Sequence, residues 1–136
     1  MNTIGMVCAL ATFLNIWMGH VFVRWADQRF SNIFAPVALC ICAGLGFITG
    51  ALLSPGMTNS AVLGITGLVF LWDGFEFMRQ EKRVIKGHAP ANPANPRHQR
   101  ILKEHALASP VHWLALHPIG RPFTEGEKQA IREKEL

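Results

Sequence analysis

Three ionisable side chains interrupt apolar stretches of this chain: His20, Asp73 and Glu76. An ionisable group in such surroundings is costly, so it faces a protein interior and finds a partner there. Asp73 and Glu76 are three positions apart, which puts them on one face of a helix. Counted at 1.5 Å per residue from the outer ends of their stretches, His20 lies at ~24 Å, Asp73 at ~18 Å and Glu76 at ~22 Å. The three share a depth, so His20 is expected to meet Asp73 or Glu76. Two kinds of chemistry suit such a cluster: proton transfer, or contact with a quinone headgroup. The plainer reading is a structural pair, or carboxylates that reach headgroup water. Membrane b-haems commonly take two axial ligands at matched depth. The apolar stretches hold one histidine, so a haem or quinone would have to be shared with a partner chain, and no resident cofactor is expected.

Other candidates are weaker. His88, His98, His105, His112 and His117 lack the spacing of a metal site and read as solvated or interface residues. Cys8, Cys40 and Cys42 fall inside apolar stretches, where a thiol acts as a small hydrophobe. No phosphate loop, nucleophile–base pair or zinc signature is present. Ala38, Cys42, Gly46 and Gly50 recur every fourth residue and lay a stripe of small side chains on one helix face. Such stripes let helix backbones approach closely, either within the chain or between chains. Both options remain open at this level.

The elements that must carry these residues are three apolar stretches: Ile4–Val23, Ile33–Leu53 and about Ala61–Met78. No charged residue occurs from Phe30 to Trp72, enough chain for two crossings at ~20 residues each. The first stretch lacks a basic leader and a small-residue cleavage site, so it is expected to be an uncleaved span. Pro36 sits in the first turn of the second span, where its missing amide costs little. Ser54-Pro55-Gly56 breaks that span. The third span is expected to begin near Asn59 or Ser60. It should carry Asp73 and Glu76 toward the headgroup region and stop at Gly87, with Pro90 just beyond.

All thirteen Lys and Arg residues fall in the first connector or after the third span. Cytoplasmic flanks collect such residues. The expected topology has the N-terminus outside and the tail in the cytoplasm. Phe22, Trp25, Phe30, Phe34, Trp72, Phe75 and Phe77 then form a belt at the inner boundary. From Arg79 to Lys103 there are seven Lys and Arg residues and one acid, Glu81. Arg79, Lys82, Arg83 and Lys86 are expected to meet anionic lipid headgroups. This basic run has a sufficient topological cause, so no nucleic-acid partner is inferred.

Pro90-Ala-Asn-Pro-Ala-Asn-Pro96 reads as an extended, semi-rigid linker. Asn95 can cap a helix with Pro96 at its first position, running to about Leu107. A short segment, Val111–Leu116, and a helix opened by the capping box Thr124-x-x-Glu127 should follow. Val111, Trp113, Leu114 and Leu116 need a covering surface, either the membrane interface or another subunit. The expected organisation is a three-helix transmembrane domain over 1–87, a linker over 88–96 and a cytoplasmic tail over 97–136.

The run Trp72-x3-Glu76-x3-Gln80-Glu81-Lys82-Arg83-Val84-x-Lys86-Gly87-x-x-Pro90-x-Asn92-Pro93 resembles the C-terminal signature of a family of small bacterial membrane proteins, known only as a domain of unknown function. Gly5, Thr12-Phe13-Leu14 and Gly19-His20 are similar to its first span. The resemblance covers roughly residues 1–97. It implies a three-span protein of the bacterial inner membrane and no known activity. This chain departs from the pattern at His88-Ala89, where an aromatic pair is usual, and in some forty additional residues at its end.

The fold class expected is therefore all-α: three transmembrane helices and a tail of short helices. The expected role is an accessory subunit of a larger membrane complex, respiratory or otherwise energy-transducing. Its partners would be other membrane subunits and anionic lipids. The alternative is a proton-transferring or quinone-contacting subunit that uses His20, Asp73 and Glu76. No catalytic residue and no metal ligand is assigned.

Overall fold

The computed structural model describes residues 3–110, together with 124–126, 129 and 133. The described residues are helical with no strand. In order they form α1 (Ile4–Arg29), α2 (Phe34–Leu53), α3 (Met57–Ile85) and α4 (Pro96–Glu104). The first three are long and apolar enough to cross a membrane, which makes this an integral membrane protein. The expected Val111–Leu116 segment and most of the helix expected after Thr124 lie outside the described residues, as do His112 and His117.

Local chemistry explains where each helix begins and ends. Asn32 Oδ1 accepts the Phe34 N–H at 2.9 Å and so serves one of the unpaired amides opening α2. At the start of α3, Ser60 donates its hydroxyl to the Ala51 carbonyl at 2.8 Å and ties the hairpin shut. That helix starts at Met57, ahead of Asn59, because the turn at Pro55-Gly56 is only a few residues long. At its far end Gly87 takes φ +71°, the left-handed conformation that favours glycine. The Gly87 N–H then bonds Val84 O at 3.0 Å and the His88 N–H bonds Arg83 O at 2.8 Å. This is the paired closure of a Schellman motif, which satisfies carbonyls the helix would otherwise leave open. Asn95 accepts the Arg97 N–H and opens α4, with Pro96 at its first position. The helix ends at Glu104, short of Leu107, because His105 turns extended.

The chain divides into two compact units, and the division falls within helices. Unit 1 comprises residues 1–26 and 32–78; unit 2 comprises 27–31 and 79–136. This differs from the linear boundaries expected at 87 and 96. The Pro90–Pro96 stretch belongs inside unit 2, and so does the last turn of α1.

Unit 1 is a bundle of the three long helices, and α3 is its most enclosed member. Its buried side chains are Val23, Ala26, Cys40 and Phe77, flanked by Phe22, Val37 and Phe70. Helices α2 and α3 cross at two glycines. A Cβ on Gly44 would stand 2.9 Å from Gly67 O, and one on Gly67 would stand 2.8 Å from Gly44 O. Only backbone fits at that crossing. Phe47 stacks on Phe70 beside it, with ring centroids 5.4 Å apart. Asn15 links α1 to α3 by donating to Thr66 Oγ1 at 3.2 Å. Thr12 and Thr49 bond carbonyls one turn back, a common way for hydroxyls to hide their polarity in a span.

Unit 2 has an apolar centre of its own: Val84, Ala89, Ala91, Ile101 and Ala108, with Ile85 and Leu102 packed against it. This small core was not visible in the sequence pattern, because three of its five members are alanines in non-helical or helix-flanking chain.

Candidate functional site

The sharpest polar feature of unit 1 is Asp73. It sits a little past the middle of α3 and is only 5% exposed. It lines two apolar cavities. One, of about 280 Å³, is lined by Ile16, His20, Leu68, Val69 and Trp72. The other, of about 320 Å³, is lined chiefly by Asn15, Gly19, Phe22, Leu39 and Phe70. Gly19 is what allows the carboxylate to lie against α1. A Cβ there would fall 2.5 Å from both Asp73 oxygens. Any larger residue at position 19 must move the acid.

The expected meeting of His20 with the acids takes a particular form. His20 and Asp73 line the same cavity, yet neither makes a hydrogen bond or ion pair with any described residue. Glu76 lies one turn further along α3, is 2% exposed, and is not without a partner. The structure thus brings His20 and Asp73 to one space without joining them. A carboxylate in apolar walls is a strong acceptor, and here no described residue donates to it. It can take up a proton, or hold a ligand that donates to it or carries positive charge. No group of three or more His, Cys, Asp or Glu suited to a metal ion occurs among the described residues.

The small-residue stripe of α2 points elsewhere. Ala38, Cys42 and Gly46 are exposed, and Gly50 is half-buried, where an added Cβ would stand 3.8 Å from Leu63. A Cβ on Gly46 would meet nothing within 4 Å. The helix contact inside the bundle uses Gly44 instead, two positions away on another face. Cys40 is buried in that bundle, whereas Cys8 is half-buried.

Unit 2 holds a polar cluster that the sequence reading did not assign. Asp27 and His98 are essentially fully buried, and Arg97 is 6% exposed. Arg97 Nη2 donates to Asp27 Oδ1 at 2.5 Å and to the Asp27 carbonyl at 2.9 Å. Its Nη1 reaches Glu81 Oε1 at 3.3 Å. His98 Nδ1 accepts the Asn92 N–H at 2.9 Å, so that nitrogen carries no proton. The ring proton is therefore on Nε2, which faces Asp27 Oδ2 at 3.4 Å. Nε2 also lies 3.1 Å from Arg97 Nη2. Both are donors, and the Asp27 carboxylate between them holds them together.

Two asparagines complete the cluster. Asn95 Nδ2 lies 3.3 Å from the carbonyl of Asp27, 3.1 Å from that of Gln28 and 3.0 Å from that of Phe30. Asn92 Nδ2 donates to Gln28 O at 2.9 Å. These are the open carbonyls at the end of α1. Each asparagine also accepts the N–H two residues on, Ala94 and Arg97 respectively. The Asn-Pro-Ala-Asn-Pro stretch is thus a pair of Asx turns that cap a helix from outside. The available signal was the repeat itself: each asparagine precedes a proline and stands ready for that turn.

The basic residues separate accordingly. Arg79, Lys82 and Lys86 are exposed and Arg83 is half-buried, donating to Gln80 Oε1 at 3.3 Å. Arg97 is withdrawn from the basic surface by Asp27 and Glu81.

Residues 2–95 match the family model described as a domain of unknown function (DUF4491), and the chain belongs to that family. No curated protein and no solved structure matches the chain.

Proposed function

We propose, with membership of this family as the premise, that the protein is an accessory subunit of a larger membrane complex in the bacterial inner membrane, its tail in the cytoplasm. The observation that supports this reading is the outer face of α2. Ala38, Cys42 and Gly46 are exposed, while the bundle makes its own close crossing at Gly44 and Gly67. A face of small side chains that the described residues leave open is suited to the backbone of another helix. The exposed Arg79, Lys82 and Lys86 suit anionic headgroups at the cytoplasmic side. Such a complex would be respiratory or otherwise energy-transducing. Native mass spectrometry from the protein's own membrane tests the reading. A mass equal to this chain plus larger subunits is expected; a bare monomer or homodimer overturns it.

A second reading rests on Asp73. A buried carboxylate that shares a cavity with His20, one turn from Glu76, is suited to proton transfer or, together with His20, to contact with a quinone headgroup inside such a complex. Replacing Asp73 or Glu76 by its amide separates the roles. Lost turnover with intact assembly supports chemistry, and lost assembly supports structure.

A further inference from the structure

We infer that the cavities flanking Asp73 bind the head of an amphiphilic ammonium compound, with the charged nitrogen on the carboxylate and the apolar part along the spans. This goes beyond the accessory-subunit reading and does not depend on it.

Four observations carry the inference. Asp73 is 95% buried by its 5% exposure, and it makes no hydrogen bond or ion pair with any described residue. Asp73 lines both cavities. Apart from His20 in one cavity and Asn15 in the other, the walls are hydrocarbon and aromatic, with Trp72 in the first and Phe22 and Phe70 in the second. Gly19 keeps α1 bare at that point, so the carboxylate is held in place by backbone shape.

The chemistry selects among ligands. A carboxylate only accepts hydrogen bonds, so at Asp73 the carbonyl oxygen of a quinone would face an acceptor with an acceptor, and His20, in one of the two cavities, is the side chain there that could donate to it. A small hard metal cation needs several oxygen ligands, and besides the His20 ring these walls supply a single carboxylate and the Asn15 side-chain amide. An ammonium group both donates and carries the opposite charge, and aromatic faces attract it as well. Volumes of about 280 and 320 Å³ stand at the low end of the ~300–1,000 Å³ typical of ligand pockets. They fit a small amphiphile, or one end of a longer molecule whose chain remains in lipid. Two sources share this chemistry: the ethanolamine headgroup of a lipid, and a free lipophilic amine.

The test uses the full chain in maltoside micelles, which carry no ammonium group. Octylammonium, octanol and octanoate are titrated separately, and the amide chemical shifts of Gly19 and Asp73 are followed. Octylammonium is expected to saturate these shifts at least about tenfold more tightly than octanol, the scale of one charged hydrogen bond. Octanoate should leave them unmoved. Asp73→Asn should erase the difference between octylammonium and octanol. Equal binding of octylammonium and octanol would overturn the inference, since the cavities would then be merely greasy. So would an unchanged preference in Asp73→Asn. The comparison of the three heads on the unaltered protein decides the matter even if that variant fails to fold. Phosphatidylethanolamine is then added against phosphatidylglycerol. Displacement of octylammonium by the ethanolamine lipid assigns the site to a headgroup; no displacement by either assigns it to a free amine. Both results uphold the ammonium chemistry.

Discussion

Asp27 and Asp73 are the same residue type, each almost wholly removed from solvent, each on one of the long helices. Their surroundings differ in kind. Asp27 in unit 2 receives Arg97 on one oxygen and faces His98 with the other, while neighbouring carbonyls are taken by Asn92 and Asn95. Asp73 in unit 1 lines two apolar cavities and has no hydrogen-bond or ion-pair partner among the described residues. A buried charge with its counter-charges in place is a structural element, whereas one that its own fold leaves without them is suited to take up a proton or hold a ligand. The first cluster holds its segment together; the second is where chemistry or recognition has room to occur.

Substitutions can sharpen or break this contrast. The largest effect is expected from Asp27→Ala, which leaves Arg97 buried without its main partner. Loss of one member of a buried pair costs about 3–5 kcal/mol, so thermal unfolding in detergent should shift steeply downward. The double change Asp27→Leu with Arg97→Met should recover most of that loss, because a buried pair is replaceable by apolar packing. If the double variant is as unstable as the single, the ion pair is not what holds this segment.

Asn95→Ala comes next. It removes the donor shared among three carbonyls and the cap of α4 together, at a cost of about 2 kcal/mol. Hydrogen exchange at the amides of residues 97–100 should accelerate, and an unchanged rate would remove the capping role. Gly87→Ala follows, at about 1–2 kcal/mol, since a left-handed backbone disfavours a side chain there. The added Cβ would also press on the Leu107 carbonyl. Denaturant unfolding measures this directly.

The smallest effect on stability belongs to Asp73→Asn. It removes a charge that no described group balances, so the melting point should stay within the range of a change below about 1 kcal/mol, on either side of the native value. A loss as large as that of Asp27→Ala would show Asp73 to be a structural acid after all, and the contrast between the two sites would fail.

Much of the fold was legible from the sequence. The three spans follow from uninterrupted apolar length, the stop at Gly87 from glycine's freedom at positive φ, and the start of α4 from Asn95 followed by Pro96. These are local properties: each depends on residues within a turn or two of one another, and chain order alone brings them together. The shared depth of His20 and Asp73 was legible for the same reason, because rise per residue is constant along a helix.

Tertiary packing decided the rest. Asp27 and Arg97 are seventy positions apart, and nothing in either's neighbourhood names the other. The every-fourth-residue stripe of α2 located a face but could not say which way it turned; Gly44, outside that stripe, makes the crossing with Gly67. Helix rotation sets that choice, and rotation is settled only when neighbouring side chains interlock. The same holds for Asp73. Its sequence position marked it as an acid in a span, but its lack of a partner and its place between two cavities arise from how α1 and α3 meet at Gly19. Periodicity is written along one helix, whereas partnership belongs to the space between two.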